Sequence, residues 1–150
     1  MPESLLRNGT WIAICDGQRA LLLENKGDRE FPKLETREVF RQENPPTHLQ
    51  GSAPPGRAFN SMGDRRGATE ESDFHDMAEQ DFLRRFAEKL DHSIGQHKIR
   101  ALVLIAPARA LGMVRPHLSA ATRRVLISEL DRDYVKMPLH EVERHLSALS

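Results

Sequence analysis

The run Ala101-Leu102-Val103-Leu104-Ile105-Ala106, set between Arg100 and Pro107, constrains the fold more than any other stretch of the chain. An alternating strand keeps one face wet. Six consecutive apolar residues need cover on both faces, which predicts the central strand of an α/β layer. Pro107 has no N–H to donate and ends the ladder. From Arg109 the spacing turns helical, with Leu111, Val114, Arg115 and Leu118 three or four residues apart. A buried strand running into a helix is half of a crossover unit, and its usual destination is a parallel neighbour.

The flanking sequence fills in the sheet. Thr10 to Cys15 and Arg19 to Glu24 are strand-like runs separated by Asp16-Gly17-Gln18, and Asp-Gly between apolar runs marks a hairpin. Asn25-Lys26-Gly27-Asp28 supplies the next turn. Leu34 to Arg41 alternates as a half-exposed edge strand would, completing a three-stranded meander. Residues 44–71 hold Pro45, Pro46, Pro54, Pro55, Gly51, Gly56, Gly63 and Gly67 with almost no aliphatic residues, so a long loop is expected there. Ser72 or Asp73 then caps the longest helix, whose stripe is Phe74, Met77, Ala78, Phe82, Leu83, Phe86, Ala87, Leu90 and Ile94. Gly95 is expected to end it. Arg124 to Leu130 is read as the fifth strand, with a helical continuation as the alternative. Pro138 opens a last amphipathic helix on Leu139, Val142, Leu146 and Leu149. The expected fold is therefore α/β, a mixed five-stranded sheet in the order β-β-β-α-β-α-β-α, which is the connectivity of ribonuclease-H-like domains.

Composition narrows the function classes. At 150 residues the chain is expected to be a single domain, 1–150, with enough length for its own core. Its 22 basic residues match its 22 acidic ones, so no overall field draws it to nucleic acid or an anionic membrane, and any such role needs a local patch. Cys15 is the only cysteine, which excludes an internal disulfide and a cysteine-ligated zinc finger; within its apolar run it reads as a small buried hydrophobe. The N-terminal MPESLLRNGT lacks a signal-peptide core, and no run reaches the roughly 20 apolar residues of a membrane span. A cytoplasmic protein with no membrane insertion and no cofactor is expected.

Two clusters bear chemistry. Asp16 follows the first strand, and Glu79 or Asp76 on the first helix could approach it, as in a site where carboxylates hold two divalent ions. A third carboxylate belongs at the end of the fourth strand, where this chain has Ala106 and Pro107, so Asp16 reads as a turn residue ahead of a metal ligand. The second cluster is basic. Arg57, Arg65 and Arg66 lie among glycines with Phe59 as the only nearby aromatic. With Arg109 after the central strand, and Arg84-Arg85 and Arg123-Arg124, they could read phosphates, or form a solvated face paired with Glu70, Glu71 and Asp73. His140 and His145 mimic a zinc-protease helix signature but stand five apart, roughly 140° around a helix, and cannot share one metal there.

Trp11 to Ala20, Gly56-Arg57-Ala58-Phe59-Asn60-Ser61, Asp73 with His75, Phe82 to Leu90, and Leu102 to Gly112 together resemble the bacterial host attachment protein family over nearly the whole chain. The family name implies a role in attachment to host cells and no molecular mechanism. The family is similar in fold to the middle domain of archaeal and eukaryotic peptide-release factors, a ribonuclease-H-like domain. There a Gly-Gly-Gln loop between the third strand and the first helix enters the ribosomal peptidyl-transferase centre. Pro55 to Gly67 here has no Gly-Gly-Gln. The resemblance thus implies an RNA- or ribosome-associated module without peptidyl-tRNA hydrolase activity, working through Arg57, Phe59, Arg65, Arg66 and Arg109. The alternatives are a divalent-metal-dependent hydrolase built on Asp16 and Glu79, and a protein-interaction module in attachment or stress regulation.

Overall fold

A computed structural model of the chain describes the backbone of residues 5–42 and 61–149, and the side chains of 5–42 and 73–149. The elements in chain order are β1 (Trp11–Cys15), β2 (Arg19–Asn25), β3 (Leu34–Arg41), α1 (Ser61–His97), β4 (Leu102–Ala106), α2 (Ala108–Val114), a 3-10 turn (Arg115–His117), α3 (Ala120–Val125), β5 (Leu126–Asp131) and α4 (Leu139–Leu149). The five strands form one mixed sheet in the order β3-β2-β1-β4-β5. β1 runs antiparallel to β2 and parallel to β4, and β4 runs parallel to β5.

The apolar run is the most buried strand: every residue of Leu102–Ala106 is 0% exposed. Its continuity has the expected cause. Leu102, Leu104 and Ala106 join Trp11, Ala13 and Cys15 on one face, under α1 and α2. Val103 and Ile105 join Ile12 and Ile14 on the other face, with Leu6, Tyr134, Val135, and Val142 and Leu146 of α4. A sheet covered on both sides needs apolar residues at every position of its central strands. Among the described residues no helix is long and apolar enough to cross a membrane.

β3 is an edge strand with one irregularity. Leu22 pairs with Glu38 but Leu23 pairs with Thr36, so Arg37 is an extra residue on β3. The bulge turns its guanidinium over the Trp11 ring, 5.2 Å from the centroid, and onto Glu24. Such a bulge also twists an exposed edge away from further strand pairing. The turn before β3 leaves no freedom at Gly27, where an added Cβ would stand 2.1 Å from the Phe31 carbonyl oxygen.

Four expectations need correction. Residues 61–71, read as loop, are helical, so α1 starts at Ser61 rather than at Ser72 or Asp73 and runs for 37 residues. Gly63 and Gly67 suggested a loop, but each costs a helix only about 1 kcal/mol relative to alanine, and Met62, Arg65, Arg66, Ala68, Glu70 and Glu71 are good helix formers. The rest of the expected loop, 44–60, lies outside the described residues. The expected stripe is also shorter: Phe82, Leu83, Phe86, Ala87, Leu90 and Ile94 are buried, whereas Phe74 is 40% and Met77 68% exposed.

Gly95 does not end the helix. α1 continues to His97, and Lys98 takes the left-handed conformation at φ 54°. The Ile99 N–H then donates to the Ile94 carbonyl at 3.0 Å, and both side chains are buried, which is a Schellman closure with lysine where glycine is commonest. Left-handed backbone costs a non-glycine residue about 1 kcal/mol. Lys98→Gly is therefore expected to raise the unfolding free energy by about 0.5–1 kcal/mol; a loss of stability in denaturant titration would contradict that closure.

The fourth correction is at the fifth strand. Arg124 and Val125 end the short helix α3, so the strand is Leu126–Asp131 and the connectivity gains a helix between α2 and β5. Ser119 caps α3 by accepting the Thr122 N–H at 3.0 Å, and its own hydroxyl donates to Asp91 of α1 at 2.6 Å. That tertiary bond holds a helix too short to persist by itself. At the C-terminal end, α4 forms as expected, but Leu149 is 46% exposed and only Val142 and Leu146 are fully buried.

Candidate functional site

The C-terminal ends of the parallel strands β1 and β4 lie together, and a crevice at that end is where open α/β sheets bind ligands. β1 delivers Cys15-Asp16-Gly17 there, β4 delivers Ala106-Pro107, and β3 ends there because Arg41 pairs with Arg19 at the start of β2. α1 crosses the sheet from that end. Glu79 is level with Gly17, while His97 stacks on Trp11 at 4.8 Å at the opposite end of β1. The helical turns before Glu79 thus run past the end of the sheet.

Asp16 serves its turn. Its Oδ1 accepts the N–H of Gln18 at 2.8 Å and of Arg19 at 2.9 Å, which shapes the β1–β2 hairpin. Gln42, just past β3, clamps the same turn. Its backbone N–H donates to the Gln18 carbonyl at 2.8 Å and its Nε2 to the Gly17 carbonyl at 3.0 Å.

The structure brings Glu79 to that turn. A Cβ on Gly17 would fall 2.6 Å from the Glu79 carboxyl carbon, so the carboxylate lies close against the turn and would have to shift for any larger residue there. Arg109, at the start of α2, reaches back to the same place. It is hydrogen-bonded to Asp76, and its Nε stands 3.4 Å from Glu79 Oε1. Asp76 first, then Glu79, raise its pKa above the usual guanidinium value. The candidate catalytic residue Glu79 and the candidate phosphate reader Arg109 are thus partners of one another. Among the described residues no group of three His, Cys, Asp or Glu side chains is arranged to hold a metal ion.

Cys15, beside this turn, is 1% exposed, and burial pushes its thiol up to about 12, with Asp16 adding to the effect. A thiol so held is a core residue rather than a nucleophile. Of the other arginines, Arg84 pairs with Asp81 at 2.6 Å and Glu88 at 3.4 Å, and Arg85 with Asp81 at 3.0 Å. Those partners stand one turn away on α1 itself. Arg123 donates to the carbonyls of Leu118 and Arg115, closing the 3-10 turn. Arg65 and Arg66 belong to the first turns of α1, but their side chains, like all of Arg57 and Phe59, lie outside the described residues.

Between β3 and α1, at the same end, is a groove of about 330 Å³ that the sequence did not announce. Phe40, Phe74, Ala78, Phe82 and Phe86 are its apolar surface, and Arg41, Gln42, Asp81, Arg85 and Lys89 its rim. Spacing places Phe74 in the core stripe and Phe40 in the edge alternation; no local signal joins them, since they stand on different elements. Gln42 carries no sequence signal at all.

The model of bacterial archaeo-eukaryotic release factor family 12 matches residues 9–146. No curated protein matches the chain.

Proposed function

Because the chain belongs to bacterial archaeo-eukaryotic release factor family 12, we propose that it is a cytoplasmic RNA- or ribosome-associated module rather than a metal-dependent hydrolase. The observation that carries this is Arg109. A two-metal hydrolase needs carboxylates free to gather cations; here Asp76 and Glu79 are matched by a guanidinium and Asp16 is engaged by two backbone N–H groups. Peptidyl-tRNA hydrolysis is not proposed, because Pro55 to Gly67 has no Gly-Gly-Gln to position water. A meander joined to a parallel pair supports a ribonuclease-H-like assignment, taken as one domain over 1–150.

Arg57, Arg65 and Arg66 are the proposed phosphate contacts, with Phe59 beside them, on the segment leading into α1 and its first turns. Ribosome cosedimentation and RNA binding across a salt series test this. The wild type should lose affinity by about 0.7–0.9 of a log–log unit per contact, and the Arg57→Ala, Arg65→Ala, Arg66→Ala variant should flatten the slope by about 2–3 units. Its melting should not change, since a variant that removes phosphate contacts alone leaves the packed core as it is. Identical curves, or no binding at low salt, would overturn the proposal in favour of a protein-interaction module in attachment or stress regulation. Tight magnesium binding abolished by Asp16→Ala would favour the hydrolase instead.

A further inference from the structure

We propose that the groove between β3 and α1 holds one unstacked nucleotide of single-stranded RNA, its base against Phe74 and Phe40 and its phosphate at Arg41 and Lys89. The inference rests on the RNA-associated reading and names the part of RNA that this site would take.

Three observations converge on it. The first is an aromatic surface with an open member. Phe82 and Phe86 are 7% and 1% exposed and form a floor, and Phe40 packs on Phe86 with ring centroids 5.5 Å apart, but Phe74 is 40% exposed at the mouth. Every base has a π-face, and stacking on an aromatic side chain is how single strands are held without duplex pairing.

The second is charge. Among the described residues, Arg41, Arg85 and Lys89 line the groove against one carboxylate, Asp81, which Arg84 and Arg85 already share. The Lys89 ammonium stands 5.4 Å from the centre of the Phe40 ring, so cation and ring face the same space. An aromatic ligand carrying negative charge suits this combination, whereas an apolar side chain of a protein partner would offer nothing to Arg41 and Lys89. A peptide added as a strand is disfavoured for another reason, since the bulge at Arg37 breaks the regular edge of β3.

The third is an unused acceptor. Gln42 lines the groove and spends its Nε2 on the Gly17 carbonyl, while its Oε1 is buried with no hydrogen-bond partner among the described residues. A covered, unpaired acceptor of this kind is costly, and a turn of the amide toward the groove would offer it to the amine or ring N–H edge of a base. A volume of about 330 Å³ lies at the small end of ligand cavities, which suits one nucleotide and excludes a duplex.

The test is fluorescence anisotropy with labelled A12 and U12 oligoribonucleotides, a labelled RNA hairpin stem and free AMP. Phe74→Ala should lower affinity for both single strands by about 5- to 100-fold with the salt slope unchanged, because stacking and not a phosphate contact is lost. Phe74→Trp should restore binding. Phe74 is exposed, so both variants should melt as wild type. Arg41→Ala with Lys89→Ala should instead flatten the slope by about 1.4 log–log units, the value for two contacts on a single strand. If Phe74→Ala binds as wild type while the Arg57, Arg65 and Arg66 variant loses binding, the groove assignment falls and the RNA reading stands. If no single strand binds wild type even at low salt, both fall. Stem binding as tight as A12, or AMP binding as tight as A12, would overturn the single-stranded RNA assignment in favour of a duplex contact or a free-nucleotide site.

Discussion

Leu104→Ala is expected to lower the unfolding free energy by about 3–5 kcal/mol, at the upper end of buried leucine truncations. The side chain is 0% exposed in the middle of β4 and points to the face covered by α1 and α2. How far such a site can collapse decides the cost. Its Cα partner on β1 is Ala13, which has no side chain to move into the vacancy, and its partner on the other side is Glu129. The flanking strands are held by ladders on both sides of β4, so a cavity should remain. For a domain of this size the loss is a large share of a total of about 5–15 kcal/mol, and it should lower the melting temperature by roughly 10 °C. Leu149→Ala on the half-exposed end of α4 is the control and should cost under about 1 kcal/mol. Equilibrium denaturation with an unchanged m-value checks both. A cost for Leu104→Ala no greater than that of the control would mean that β4 is not the packed centre.

Asn25→Ala should cost a comparable amount, about 3 kcal/mol or more, through a different mechanism. Asn25 is 0% exposed at the end of β2. Its Nδ2 donates to the carbonyls of Leu6 and Arg7, and its Oδ1 accepts the N–H groups of Gly27 at 3.0 Å and Lys33 at 2.9 Å. One side chain thus ties the segment before β1 to both ends of the turn before β3. Alanine strands several backbone groups at once, each costing about 1–3 kcal/mol where water cannot replace the partner. Asn25→Asp should do little better, because it keeps the acceptor but sets a second oxygen against the Leu6 carbonyl. Hydrogen exchange at the Gly27 and Lys33 amides should accelerate in both variants, ahead of exchange in β4. Exchange unchanged at those two amides, with stability within 0.5 kcal/mol of wild type by the usual surface standard, would show that the bonds are dispensable.

These two residues differ in how they announce themselves. Leu104 stands in an apolar run whose meaning is local: six residues without a polar break need two covered faces whatever the rest of the chain does. Asn25 looks like an ordinary turn residue beside Lys26-Gly27-Asp28, and its weight comes from Leu6, 19 positions away. The long helix shows the same division from the other side. Phe82 to Ile94 declares its buried face by spacing, whereas 61–71 is helical despite two glycines, because the sum of propensities outweighs those local interruptions.

By itself, then, the sequence determined the central strand and its parallel partner, the meander, the amphipathic part of α1 and the inertness of Cys15, since each follows from periodicity or burial over a few adjacent residues. It also picked out Asp16, Glu79 and Arg109 as chemically able. Only the tertiary structure decided what they do to one another: Asp16 bonds its own turn, Glu79 lies on Gly17, and Arg109 crosses from α2 to match Asp76 and Glu79. The groove belongs to the same class, because Phe40 and Gln42 reach Phe74 only when α1 packs against the β3 edge. Charge compensation and concavity are properties of pairs distant in the chain, and no window along the sequence contains both partners.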